Sequence, residues 1–244
     1  MKLWIMIVAM LVALAASAYA DPVGGNVTQV SPSQRMIIQN SSTSINAMAG
    51  NMTELQVNGQ RVTKYWQGFY GNVSGNLMLG TPDGANLYNW GQGAVSGEIY
   101  ASRNSSRINW TAVGCPNTTQ VQNEDTYLDA NPLFSRDSLN QTFNFTTHPS
   151  FEIGGRAVAG CRSTPVNGNP GVATDFWNVF LTDNGTSLTT IDDISIYAAV
   201  IDPDTAGFNS ATYDFQMLVG ERGNGSEEFP SGTSTTYFFY VELS

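Results

Sequence analysis

The 244-residue chain is short of charge. Asp, Glu, Lys and Arg together make up 12% of it, about half the usual share. The charge that exists leans one way, with 20 acids against 10 bases and a formal net charge of -10. Lysine occurs only at Lys2 and Lys64, and histidine only at His148. A chain so poor in cations cannot neutralise a phosphate backbone, which excludes nucleic acid as a partner. No run of 18 or more apolar residues follows the N-terminal segment, so no membrane-spanning helix is expected there. Neither Gly-x-Ser-x-Gly nor Gly-x-x-x-x-Gly-Lys occurs, which removes a nucleophile elbow and a phosphate-cradling loop. A Ser-His-Asp site would have to be built on His148, which precedes Pro149 and reads as a loop residue. Yet 41% of the residues are hydrophobic, so there is ample material for a core. The polarity comes from Asn, Gln, Ser, Thr and Gly, a composition unlike that of a disordered polyelectrolyte.

The first 20 residues read as a cleaved secretory leader. Lys2 is the positive end, Leu3 to Ala16 an apolar run, and Ala18-Tyr19-Ala20 a small-residue cleavage site that leaves Asp21 as the new N-terminus. The mature chain then carries 9 bases against 20 acids, and Lys64 is its only lysine. Export implies an oxidising setting, in which the two cysteines, Cys115 and Cys161, are expected to form a disulfide. The bridge closes a loop of about 47 residues, worth about 4 kcal/mol by loop-closure entropy. Two thiols and one histidine make a poor zinc set. Asn-x-Ser/Thr occurs at Asn26, Asn40, Asn51, Asn72, Asn104, Asn109, Asn117, Asn140, Asn144, Asn184 and Asn224, half of the 22 asparagines. Chance placement gives about four such sites, so the excess points to N-glycosylation. Sugars would hydrate a surface with few charges and shield strand edges. The competing reading is that Asn, Ser and Thr suit turns and exposed strand faces.

No helical period of useful length follows the leader. Short β-branched and aromatic runs recur instead, separated by Gly, Pro, Asn and Asp. Strands are expected over 35–39, 54–57, 61–69, 73–79, 86–90, 95–101, 107–113, 141–147, 151–158, 174–182, 194–201, 211–219 and 235–243. Asn58-Gly59 signals a tight hairpin, Thr81-Pro82-Asp83-Gly84 a turn between two strands, and Asn184-Gly185 a turn after 174–182. The pattern predicts an all-β fold, an antiparallel β-sandwich of jelly-roll or immunoglobulin-like type. Residues 21–50 are weakly patterned and read as an N-terminal arm; 51–244 read as one sandwich domain or two small ones. In the last run, Tyr237, Phe239, Val241 and Leu243 share one face and Phe238 and Tyr240 the other. That two-faced strand suits either a central position in a sheet or pairing with a neighbouring subunit.

The block Val62-Thr63-Lys64-Tyr65-Trp66-Gln67-Gly68-Phe69-Tyr70-Gly71-Asn72-Val73-Ser74-Gly75-Asn76-Leu77 is distinctive. Ala49-Gly50-Asn51-Met52-Thr53 precedes it, and Leu87-Tyr88-Asn89-Trp90 and Gly97-Glu98-Ile99-Tyr100-Ala101 follow. Over residues 49–113 the chain resembles uncharacterised secreted proteins of archaea. The resemblance implies a cell-surface setting and a β-sandwich, and it carries no catalytic residues. Within the block, glycines beside Trp66 and Phe69 suggest a close backbone or ring approach.

Three kinds of site are expected. Glu98 and Glu152, each within an apparent strand, are the best carboxylate pair for a glycan hydrolase. Asp192, Asp193, Asp202 and Asp204 flank the strand 194–201 and are candidate Ca²⁺ ligands, Ca²⁺ being the one cofactor considered. Trp66, Trp90, Trp110 and Trp177 are candidate glycan-stacking platforms. The leading expectation is a non-catalytic, secreted, N-glycosylated structural or cell-surface protein whose partners are further copies of itself, joined by strand pairing or apolar contact, or other cell-surface proteins. A carbohydrate-binding module is the alternative.

Overall fold

The computed structural model describes residues 21–34, 36, 42, 44–76, 78–91, 95–106, 108–128, 136–166, 176–183, 194–221 and 234–243. In chain order these form β1 (Val23–Gly24), β2 (Trp66–Gly71), β3 (Met78–Gly80), β4 (Asn86–Asn89) and β5 (Gly97–Ser102). A 3-10 turn (Trp110–Ala112) and helices α1 (Thr118–Tyr127) and α2 (Leu139–Thr142) follow. Then come β6 (Phe151–Ile153), β7 (Arg156–Val158), β8 (Ser163–Pro165), β9 (Trp177–Thr182) and β10 (Ser195–Val200). The chain ends with β11 (Thr205–Ala206), β12 (Thr212–Tyr213), β13 (Phe215–Gly220) and β14 (Phe238–Leu243).

The fold is mostly β. Its centre is a six-stranded antiparallel sheet in the order β1-β14-β5-β10-β9-β8. Three of the four inner strands, β5, β10 and β9, are buried almost throughout, which explains why they read as nearly continuous apolar runs rather than alternating ones. Their side chains still divide by the two-residue period. Ile99, Ala101, Phe180, Tyr197 and Ala199 enter one core; Tyr100, Val179, Leu181, Ile196 and Ala198 enter another on the opposite face. The last strand divides as its sequence predicts, with Tyr237, Phe239 and Leu243 packed on the first core and Tyr240 on the second.

Over the first face lies the two-stranded ribbon β2–β13, flanked by α1 and α2. The amide of buried Asn178 on β9 holds this ribbon. Its Nδ2 donates to the Gln216 carbonyl and its Oδ1 accepts from the Leu218 N–H, both at 2.7 Å. A side chain thus supplies the edge pairing that a neighbouring strand would supply. The hairpin β6–β7 contributes Phe151, Ile153 and Val158 to the second core. On that same face Trp110 meets Tyr100 and Tyr240 at ring-centroid distances of 5.3 and 5.2 Å. Cys115 and Cys161 form the expected disulfide, and Cys161 lies in the second core. Gly97 has φ +124°, and a Cβ there would collide with the Glu242 carbonyl oxygen, so β14 lies against β5 as closely as it does only because this residue is glycine.

Several expectations fail for identifiable reasons. α1 arises where no helical period was visible, because its buried residues are Gln120, Val121, Glu124 and Asp125, only one of them apolar. Its start is a capping box: Asn117 accepts from the Gln120 N–H while the Gln120 side chain accepts from the Asn117 N–H. The expected strand 107–113 contains the 3-10 turn, and 141–147 contains the end of α2 followed by a single bridge from Phe145 to Ser163. Asn58-Gly59 closes no hairpin, since no strand occurs among the described residues between Gly24 and Trp66. The Thr81–Gly84 turn does join two strands, β3 and β4. Segment 151–158 folds back on itself through Gly154 and Gly155, both at positive φ. Gly68 has open space where its side chain would be and Gly71 meets only an ordinary contact, so neither serves a close approach. The expected strand 35–39 and the Asn184-Gly185 turn lie outside the described residues, apart from Met36.

Removing the disulfide by Cys115→Ser with Cys161→Ser is expected to lower unfolding stability by about 4 kcal/mol. Urea titrations of the oxidised, reduced and double-variant proteins measure this; equal midpoints would show that the bridge contributes nothing.

Candidate functional site

Two polar clusters lie against the sheet, one on each face. The first is built around Glu124 of α1, whose side chain is 2% exposed. Arg103, just beyond β5, meets it with two parallel hydrogen bonds, Nη1 to Oε1 at 2.5 Å and Nη2 to Oε2 at 2.6 Å. Ser195 Oγ donates to Oε2 at 2.6 Å and Tyr197 Oη donates to Oε1 at 2.7 Å, both from β10. Tyr127, one helical turn on from Glu124, places its ring 3.9 Å below the guanidinium. Arg103 also donates to Tyr237 Oη, which in turn donates to the Gly220 carbonyl. Burial pushes the Glu124 pKa up, but the Arg103 hydrogen bonds and charge, with those from Ser195 and Tyr197, hold it below the ordinary carboxylate range. Burial and the neighbouring Glu124 charge push the Tyr197 hydroxyl well above its usual value, so it stays a donor. With four donors on its two oxygens, Glu124 has little capacity left for a substrate. The cluster ties α1, β5, β10 and the approach to β14 together.

The second cluster is a set of carboxylates at one end of β5. Glu98 stands directly opposite Glu242 in the β5–β14 register, on the face that carries Tyr100 and Tyr240. Glu98 is 7% exposed, and no hydrogen bond reaches its carboxyl among the described residues. Burial, followed by the charges of Glu242 and Glu152, pushes its pKa up to about 8. Glu242 is raised by burial and by the charges of Asp21 and Glu152, against hydrogen bonds from the Gly154 N–H at 3.0 Å and Tyr100 Oη at 3.4 Å. Burial and these same two glutamates push the Tyr100 hydroxyl above its usual value. Arg156 on β7 directs its guanidinium to the Thr111 and Val113 carbonyls. A carboxyl that holds its proton at neutral pH is chemically a general acid.

The structure therefore brings Glu98 and Glu152 into electrostatic range and adds Glu242 and Asp21, which the sequence did not single out. The available signal was a charge inside a two-faced apolar strand, Val241-Glu242-Leu243. The other sequence candidates are dispersed. Trp66 packs on Phe143 and Tyr197 and donates to the Asp137 carbonyl, and Trp110 is part of the second core. Trp177 is half-buried, edge-on to Phe145. Trp90 is 53% exposed, beside the exposed ring of Tyr88 at 4.8 Å. Asp202 and Asp204 lie in a turn closed by Asp214, which accepts from the Asp204 N–H with Oδ1 and from the Asp202 N–H with its carbonyl. Asp192 and Asp193 lie outside the described residues. No group of three His, Cys, Asp or Glu side chains is placed to hold a metal among the described residues. His148 has both ring nitrogens engaged by backbone, Nε2 accepting from the Cys161 N–H and Nδ1 meeting the Pro149 carbonyl. Of the Asn-x-Ser/Thr sites, Asn26, Asn51, Asn72, Asn109 and Asn144 are exposed and Asn104, Asn117 and Asn140 half-buried. Asn40, Asn184 and Asn224 lie outside the described residues.

The clusters respond to pH in opposite directions. The folded pKa of Glu98 lies above the unfolded value of 4.5, so its contribution is complete below pH 4.5 and is lost as pH rises through about 8. For the 244-residue chain, this loss is expected to be on the order of 4 kcal/mol between pH 5 and pH 9. Glu98→Gln should flatten the slope; an unchanged slope in denaturant titrations across that range would refute the assignment. Glu124, held low, contributes above its unfolded value and loses that contribution as pH falls through its folded pKa. Removing either partner, by Arg103→Met or Glu124→Gln, is expected to cost about 3–5 kcal/mol, read from the same titrations at neutral pH.

Compared with known protein families, curated proteins and solved structures, the chain matches none.

Proposed function

We propose that this is a secreted, N-glycosylated, non-catalytic structural protein of the cell surface that self-associates through its N-terminal third. The observation that carries the reading is where the uncovered apolar surface lies. Among the described residues, 15 of the 19 exposed large apolar side chains fall between Val23 and Trp90. Val30, Val57 and Met52 are almost wholly exposed at 95, 87 and 100%. The hairpin β3–β4 exposes Met78, Leu79, Leu87 and Tyr88 along its length. Exposed apolar side chains concentrated in one stretch of the chain fit a contact surface better than a chance scatter. Among the described residues β2 pairs with β13 alone, so no described strand lies along its other edge, where an added strand would fit. The resemblance of residues 49–113 to secreted archaeal surface proteins supports the same setting, as do the leader pattern, the disulfide and the Asn-x-Ser/Thr sites at or near the surface. The two cores, divided by a sheet, also suit the sandwich reading of the fold.

The test is the assembly state. Light scattering and electron microscopy of the purified protein should show concentration-dependent oligomers or filaments. Leu79→Asn, Leu87→Asn and Trp90→Ser combined, all on exposed positions, should weaken association at least tenfold without changing the melting temperature. A wild-type protein that stays monomeric at its highest soluble concentration would overturn the assembly reading. N-terminal sequencing and glycopeptide mass spectrometry of protein from its own cells test export and sugar attachment separately.

A carbohydrate-binding module is the second reading, favoured by the paired exposed rings of Tyr88 and Trp90. Glycan arrays with tryptophan-fluorescence titration discriminate it, since binding there must quench Trp90. A glycan hydrolase on Glu98 and Glu152 rests on the raised acid at Glu98 and requires glycan turnover that Glu98→Gln abolishes.

A further inference from the structure

The carboxylate cluster poses a problem of charge. Glu98, Glu242, Glu152 and Asp21 come from four segments: β5, β14, β6 and the residue two positions before β1. The guanidinium of Arg156 is committed to carbonyls of the 3-10 turn and the residue after it. Tyr100 faces the cluster as a hydroxyl donating to Glu242, while the Tyr240 hydroxyl donates to the Asn104 carbonyl beyond the other end of β5. Glu98, more than nine-tenths buried, lacks a hydrogen-bond partner among the described residues. A buried carboxyl directly opposite a second one is the arrangement that a cation would relieve.

The chain itself leads to that point. Val23 and Gly24 pair with Val241 and Tyr240, and the Gly25 N–H donates to the Phe239 carbonyl. Carried one residue further, the antiparallel register sets buried Pro22 beside Glu242. Asp21 then abuts the β6–β7 turn: a Cβ on Gly154 would stand 2.8 Å from Asp21 Oδ1, and the Gly154 N–H donates to Glu242. Asp21 therefore lies in reach of Glu242, the carboxylate of the cluster nearest the start of β1, and its backbone nitrogen is the atom that a cut after Ala20 would free.

We propose that the acid cluster of Glu98, Glu242 and Glu152 is a binding site for the protein's own processed N-terminus, the α-ammonium of Asp21. The inference rests on the leader-cleavage part of the proposed function. Hydrolysis of the Ala20–Asp21 peptide bond consumes one water, leaves a carboxylate on Ala20 and gives Asp21 an amine, which takes a proton to become the ammonium. Before the cut that nitrogen is a neutral amide and the cluster has no counter-charge from it. After the cut the ammonium pairs with the cluster and fixes β1 on the edge of β14. Cleavage thereby completes the sheet edge as well as releasing the leader.

The scarcity of lysine makes the test direct, because Asp21 and Lys64 carry the only primary amines of the processed chain. Three proteins are compared: the full 244-residue chain, the chain opened at Asp21, and the chain opened at Ala20, the last two made by excising a fusion with a protease that leaves no residue behind. Competitive acylation across pH reads the acidity of the terminal amine. In the Asp21 protein the ammonium is expected to be about tenfold weaker an acid than an ordinary α-ammonium, and in the Ala20 protein to be ordinary. The Asp21 protein should melt highest at neutral pH. Its margin over the Ala20 protein should vanish once pH exceeds that of its amine, and also in the Glu98→Gln, Glu242→Gln double variant. An ordinary α-ammonium at Asp21, or equal melting of the Asp21 and Ala20 proteins, overturns the proposal even if the double variant fails to fold. N-terminal sequencing of the natural protein reports on cleavage itself, so failure of the export reading is distinguished from failure of the docking.

Discussion

The ion pair between Arg103 and Glu124 is the contact on which the rest of the architecture depends. It sits where α1, the end of β5, the start of β10 and the approach to β14 converge, and most of its partners come from elements far apart in the chain. A charge buried this deeply is costly alone and tolerable only when its hydrogen-bonding capacity is met. Glu124 meets that condition with four donors, and each donor belongs to a segment that must already be in place. A cluster of this kind discriminates strongly between correct and shifted packings, because any slip in register leaves a carboxylate or guanidinium unpaired in a dry interior.

That demand explains the unusual character of the layer over the first face. α1 carries few apolar residues, so the hydrophobic effect alone cannot set its place. Polar contacts set it instead, through Glu124, and Asp125 extends the same logic by accepting from the Leu139 and Asn140 N–H groups at the start of α2. Asn178 does likewise for the ribbon β2–β13. Opposite, the second core is held by aromatic packing around Trp110 and by the covalent link between Cys115 and Cys161. The first face therefore adds a buried hydrogen-bond network to its apolar core, and the second adds a disulfide to its own.

The contrast between this well-covered sheet and the N-terminal third is physical as well as positional. Among the described residues, those beyond β4 bury most of their large apolar groups, whereas many before it leave theirs in water, with Trp66, Phe69 and Val73 on the first core as exceptions. A sequence so low in charge has few means of keeping such surface soluble by itself. Partner contact and attached sugars are two ways of covering it, and the proposed function uses both. The acid cluster at one end of β5 belongs to the same junction, since β1 joins the sheet on the neighbouring strand β14.

Local chemistry was enough to identify the inner strands, the two faces of the last strand, the Thr81–Gly84 turn and the pairing of the two cysteines. Each depends on a period of two, on turn residues or on a count, and such signals survive in any context. The sequence alone also marked Glu98 and Glu152 as a pair, though for a different reason from the one the structure supplies. Tertiary structure alone decided the rest. α1 was hidden because its buried side is polar, and a polar residue shows its burial only through partners distant in the chain. The Asn58-Gly59 signal failed because a turn sequence makes a hairpin only when the strands it would join have a face to bury. Glu242 and Asp21 joined Glu98 only once β14 and β1 had taken their register at the sheet edge. Register is a property of paired strands, and no single segment contains it.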